Sequence, residues 1–345
     1  MQMIRVKRTG DAGRSIDGLA ERRDRDRRMS RREDRPGAVT TLGLPALFSV
    51  TRTLAFLRHS SLRTPYHFVD ARRVRRVVRV DGRALLVDFA FPVRGKAEVR
   101  VCVLRDAAAR GGRQVERSRV VPALRRLAAD VWSLADDLRC CYRLLGADPA
   151  MAPLVRQCRG LRNVRTPNLY EALAIAILNQ QISVAAAEAI RRRLHAALGD
   201  RLAFAGTTYI GFPSPRRLRA TSPRTLRGLG LSRQKARYIL EVADRAAAGL
   251  LEPARFDGVS DEEAITMLMD VPGVGRWTAE IALMRGLGRR DIFPAGDLGL
   301  IVAAQRVFGH AVRLREDEMR VLAERWKGWR TYGALYLWSS LGITT

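Results

Sequence analysis

Two stretches of this chain hold residues arranged for chemistry: Val271-Pro-Gly-Val-Gly275, and Asp297, which follows Phe293-Pro-Ala-Gly296. Two glycines around a valine make a tight turn whose backbone N–H groups can point outward, and a helix beginning at Arg276 adds its N-terminus to them. Such a turn suits a phosphate. Asp297 opens another helical pattern, Leu298 to Phe308, where it reads either as an N-cap or as a reacting carboxylate. The two roles are compatible, because a helix N-terminus favours negative charge. A carboxylate in such a place can stabilise developing positive charge or orient a water.

The segments that must position these residues are helical. Asp261 to Leu268 precedes the turn and Arg276 to Arg285 follows it, giving a helix-hairpin-helix that can hold one phosphate without reading sequence. Val271, Gly273, Val274, Gly275, Arg276 and Thr278 are therefore the DNA-binding candidates. The plainer alternative is an ordinary glycine-rich connection between helices.

The rest of the chain narrows the class of partner. A length of 345 residues allows a substantial core in two domains. The net charge of +27 gives a strong positive field that favours a polyanion, nucleic acid first. Residues 1–40 hold twelve Lys or Arg against seven Asp or Glu, so most of the surplus lies on the folded part. Only Lys7, Lys96, Lys235 and Lys327 are lysines; the remaining positive charge is arginine, which partly reflects genome composition. Cys102, Cys140, Cys141 and Cys158 show neither metal-ligand spacing nor a disulfide framework, which fits a reducing compartment. The apolar run Ala172 to Leu178 is too short to span a membrane, and the N-terminus shows no hydrophobic signal. A cytoplasmic protein with no membrane association is expected.

Residues 1–40 alternate Arg with Asp and Glu and read as a disordered basic tail, with a DNA-seeking arm as the alternative. From there to residue 120 the β-branched runs Val74 to Val80, Ala84 to Phe91 and Ala97 to Leu104, separated by Asp-Gly and Arg-Gly turns, predict a small antiparallel sheet domain. Residues 121–345 show helical periodicity broken at Gly and Pro. The fold class is α+β, with the sheet domain packed on a larger helical one.

Several further pieces accompany the hairpin: Ile177-Leu-Asn-Gln-Gln-Ile-Ser183, Gly230-Leu-Ser-Arg-Gln-Lys-Ala-Arg-Tyr-Ile239 and Arg325-Trp-Lys-Gly-Trp-Arg-Thr-Tyr332. With Val271 to Arg285 and Phe293 to Leu300, they make the chain resemble the helix-hairpin-helix DNA glycosylase superfamily, most closely the bacterial 3-methyladenine-DNA glycosylase II family. The resemblance implies that Asp297 is the catalytic group. It also implies that Trp277 and Trp338 wall the base pocket, with Phe56 reaching it from the first domain, although Phe56 in Leu54-Ala-Phe-Leu57 reads more readily as core. A wedge at Gln181 and Ile182 would fill the place of the extruded base. For Trp277 the competing reading is core packing with Ile281 and Met284 along one helix face. Trp338 points away from the sector shared by Trp326, Trp329, Tyr332 and Tyr336 and has less reason to be core.

Members that also cut the strand use a lysine shortly after the hairpin, where this chain has Arg276 and Trp277; Lys235 remains as a distant candidate. The chain departs from better-studied relatives at Ile281 and Leu298, which stand where aromatic residues are frequent, so its base preference stays open. No organic cofactor is expected; the resemblance implies a Na+ or K+ ion at hairpin carbonyls. His59, His67, His195 and His310 are scattered and are read as structural or surface. The implied function is monofunctional hydrolysis of the N-glycosidic bond of alkylated purines in duplex DNA, by a monomer. The alternatives are a catalytically silent DNA-binding protein and a bifunctional oxidised-base glycosylase/lyase.

Overall fold

The computed structural model describes residues 37–91, 98–107 and 117–342. The basic segment read as a disordered tail lies, through residue 36, outside the described residues; Val39 and Thr40, its last part, already belong to the first strand.

Five strands form an antiparallel sheet in the order β1-β5-β4-β3-β2: β1 Val39–Gly43, β2 His67–Phe68, β3 Arg73–Val80, β4 Arg83–Ala90 and β5 Glu98–Asp106. β3 turns into β4 through Asp81 and Gly82, both at positive φ (48° and 74°), the conformation a two-residue hairpin demands. Val74, Val78, Leu85, Val87 and Phe89 face the main core beneath the sheet, where the helix Arg117–Val131 and the fully buried Trp132 lie. Val77, Ala84, Leu86, Cys102 and Leu104 face the other way and are buried too. Two covered faces explain why β4 reads as a continuous apolar run rather than an alternating one.

What covers the second face departs from the helical reading after Val120. A hairpin of β6 Arg201–Phe204 and β7 Thr207–Ile210 leaves the helical body and packs Leu202, Phe204 and Tyr209 onto the sheet. Its signal is short: Leu202 and Phe204 alternate with Arg201 and Ala203, then Ala205-Gly206 turns at positive φ.

The helical body is built around Leu169–Asn179, in which every residue from Leu169 to Leu178 is buried. A helix apolar on all sides belongs at the centre. The helices Arg233–Ala247 and Arg276–Ala282 and a π turn, Leu283–Leu287, pack against it. Asn168 caps its start, and Glu171 in the first turn is paired with Arg76 of β3, tying helix to sheet. At the C-terminal end, Leu298–Phe308 packs on Arg330–Ser339. The two helices bring the start of one to the end of the other. Gly328 (φ 90°) separates Trp326 from Arg330–Ser339, so the aromatic sector drawn across Trp326 to Trp338 spans two elements. Within the second element the reading stands: Tyr332 and Tyr336 are buried, and Trp338 is only half-buried.

Candidate active site

Asp297 ends the Phe293-Pro-Ala-Gly296 break and caps the helix Leu298–Phe308, its Oδ1 accepting from the Leu300 N–H at 2.8 Å. The same carboxylate accepts two indole N–H groups, from Trp338 on Oδ1 and from Trp277 on Oδ2, each at 3.0 Å. Gly299 leaves the space for this: a Cβ there would meet Asp297 Oδ1 at 3.3 Å and Trp338 Nε1 at 3.8 Å. Asp297 and both tryptophans are half-buried, so the carboxylate is shielded but reachable. No ion pair to Asp297 is formed among the described residues. A carboxylate fixed by three uncharged donors keeps its full negative charge for a cation that arrives or develops beside it.

The first domain reaches this place through Arg285. Phe56, on the helix Val50–His59, is buried, and the Arg285 guanidinium lies 5.6 Å from its ring centroid and 5.7 Å from that of Trp338. Arg285 Nη1 donates to Asn163 Oδ1 at 2.6 Å and to the Val164 carbonyl at 3.1 Å. Burial pulls the guanidinium down to about 10. Phe56 thus supports the wall of the site from behind Arg285.

The hairpin forms as its spacing predicted, between helices Asp261–Met269 and Arg276–Ala282. Gly273 is required twice over: its φ is 86°, and a Cβ would lie 2.2 Å from the Tyr238 ring. Gly275 is the N-cap of the second helix and has no side chain to cap it, which leaves first-turn N–H groups for an outside acceptor. Val271, Val274 and Thr278 turn their side chains inward, so only their backbone can face a ligand. Arg276 is engaged with Glu262 at 2.5 Å and with Glu280 at 3.2 Å. The wedge candidates sit beside the hairpin. Gln181 (φ 51°) and Ile182 are exposed, and Gln180 Nε2 donates to Gly273 O and Thr278 Oγ1, both at 2.9 Å.

A family model described as the HhH-GPD superfamily of base excision DNA repair proteins matches residues 174–331, which hold the Gln180–Ile182 loop, the hairpin and Asp297. The DNA-3-methyladenine glycosylase 2 of Escherichia coli is 34% identical over 206 residues, 60% of this chain and 69% of that protein. This chain belongs to the HhH-GPD superfamily. The DNA-3-methyladenine glycosylase of Bacillus subtilis is 28% identical over 303 residues, covering 88% of this chain and 97% of its own length. The 3-methyladenine DNA-glycosylase from Archaeoglobus fulgidus superposes with a TM-score of 0.74 at 27% identity, over 87% of this chain and 97% of that one. The match extends to the N-terminal sheet, outside the family model.

Within this HhH-GPD chain, other chemistry-bearing residues lie apart from Asp297. His195 is buried, and burial together with the Arg76 and Arg191 charges pulls it down to about 3, so it is a neutral core residue. Cys141 is buried and pushed well above the usual thiol range. Among the described residues no three His, Cys, Asp or Glu side chains gather to hold a metal. Lys235 turns its ammonium to the carbonyls of Leu178 and Gln180, at 2.9 and 2.6 Å. Sequence reasoning missed Arg285, Gln180 as a bridge, and Tyr238 under the hairpin. Their partners lie 35 to 229 positions away, beyond the reach of any local pattern, so only the fold brings them together.

Proposed function

We infer that this chain is a monofunctional DNA glycosylase that hydrolyses the N-glycosidic bond of alkylated purines of the 3-methyladenine type in duplex DNA, the first step of base excision repair. The observation that carries this reading is the Asp297 carboxylate, held between two indole N–H groups and a helix N-terminus with no cation paired to it among the described residues. As the base departs, positive charge grows on the deoxyribose, and Asp297 stabilises it or aligns the attacking water. The extruded base would stack against Trp277 and Trp338, whose electron-rich faces favour an electron-poor alkylated ring.

Duplex DNA is the partner supported by the family and by the basic surface, with the backbone of Gly273 to Thr278 meeting a phosphate. Gln181 and Ile182 would enter the stack where the nucleotide leaves. A Na+ or K+ ion would use hairpin carbonyls. Val271 O and Gly273 O each accept one hydrogen bond, from Val274 N–H and Gln180 Nε2, and each keeps a lone pair for such an ion. Hydrolysis by water needs no organic cofactor, and we assign the protein as a monomer of the cytoplasm. Among the described residues no helix is long and apolar enough to cross a membrane.

The test is incubation with methylated duplex DNA. Free 3-methyladenine is the expected product, with an intact strand and no adduct trapped by borohydride. Absence of any released base would support the silent DNA-binding alternative, and a trapped adduct would support the bifunctional one.

A further inference from the structure

We propose that Lys235 is a positioning residue for base extrusion, clamping the Gln180–Ile182 loop in the shape that enters the duplex. The proposal rests on the glycosylase reading above and adds a residue to it. The helix Leu169–Asn179 ends at this loop, and its last carbonyls have no partner inside the helix. Lys235 Nζ satisfies two oxygens there at once, Leu178 O at 2.9 Å and Gln180 O at 2.6 Å. A cation is favoured at a helix C-terminus, and Lys235 has no carboxylate partner among the described residues. Lys235 is half-buried, and burial pulls its ammonium below the ordinary lysine range.

Lys235 anchors the loop's backbone, while Gln180 ties its side chain to Gly273 O and Thr278 Oγ1 in the hairpin. Immediately after these fixed points Gln181 takes the left-handed region at φ 51° and stands exposed. A non-glycine residue there is strained and persists only because its surroundings hold it. The brace therefore links the element that grips the backbone to the element that takes the place of the base. A compact ammonium suits two converging carbonyls better than a planar guanidinium does, and one of only four lysines in an arginine-rich chain stands here.

The variant Lys235→Met removes the donors and keeps the side-chain length. In single-turnover excision of 3-methyladenine, the expected loss is roughly 10- to 100-fold for a lesion paired in a duplex, the range for losing charge-assisted hydrogen bonds. For the same lesion in a one-nucleotide bulge, already unstacked, the expected loss is under about threefold. Equal losses on the two substrates would mean that the lysine only holds the fold, and would overturn the proposal. A second readout needs no cleavage and so separates this proposal from the glycosylase reading. With 2-aminopurine opposite a tetrahydrofuran abasic analogue, saturating wild-type protein should brighten the probe, and Lys235→Met should lose most of that signal. Unchanged brightening would overturn the proposal. In a Gln181→Ala background, Lys235→Met should cost little more, whereas additive costs would also overturn it.

Discussion

Glu171 and Asp297 are both carboxylates at helix starts, and the fold gives them opposite kinds of partner. Glu171 sits in the first turn of the central helix, almost wholly buried, and its partner is the guanidinium of Arg76. Asp297 is half-buried, and its side-chain partners among the described residues are two indoles and one backbone amide, all neutral. In the first case the negative charge is cancelled inside the fold and joins the sheet to the helices. In the second it is held in place but left uncancelled. Anchoring a charge and neutralising it are separate acts, and the difference marks which carboxylate can act on something outside the protein.

The contrast is easiest to break at its structural half. Glu171→Gln leaves Arg76 buried and uncompensated, so stability should fall by about 3–5 kcal/mol, read as a shift of the urea midpoint. Excision per folded molecule should stay unchanged; a selective loss of rate would mean that Glu171 also serves the chemistry. At the other half, Asp297→Asn keeps a side-chain cap but removes the charge. Excision should drop roughly 10²- to 10³-fold while the unfolding midpoint barely moves. An active Asn variant would remove Asp297 from the catalytic role.

Smaller effects sharpen the same contrast. His195 lies near the Arg76 pair, and its folded value of about 3 stands below the unfolded value near 6.5. Above 6.5 it is neutral in both states and costs nothing. As pH falls below that, the unfolded chain takes up a proton that the folded chain refuses, so stability drops until about pH 3. Between pH 7 and pH 5 this single group should remove ~2 kcal/mol, a slope that urea titrations should find absent in His195→Gln. Last in size, Trp338→Phe keeps an aromatic wall and removes one donor to Asp297. A roughly tenfold fall in excision is expected, and no change would reduce Trp338 to a wall alone.

Much of the site was legible in the sequence because its parts lie at breaks that sequence displays. Asp297 follows Pro294-Ala-Gly296 and precedes an apolar helix, and the hairpin carries its glycines in order. Trp338 stood apart from Tyr332 and Tyr336 by helix geometry alone, and those tyrosines are indeed the buried ones. Trp277 was harder, since its spacing to Ile281 and Met284 also fits a core face, whereas the structure turns its indole N–H to Asp297. Arg285 was hidden because a buried arginine next to two rings looks, in a chain this rich in arginine, like any other positive charge. Lys235 was visible as a rarity, but its contacts to the carbonyls of Leu178 and Gln180 cross more than fifty positions. The β6–β7 hairpin was missed because two four-residue strands carry too few alternations to stand out within a helical stretch.

That small hairpin has a consequence for how the molecule comes apart. Leu202, Phe204 and Tyr209 leave the helical body to close the outer face of the sheet, while Phe56 and Arg76 cross the other way to Arg285 and Glu171. The two halves are latched in both directions. Removing the first hundred residues would strand three large apolar side chains in water and an acid in an oily interior. The segment that looks like a separate module along the chain is thermodynamically one body with the catalytic half, and heat should melt them together.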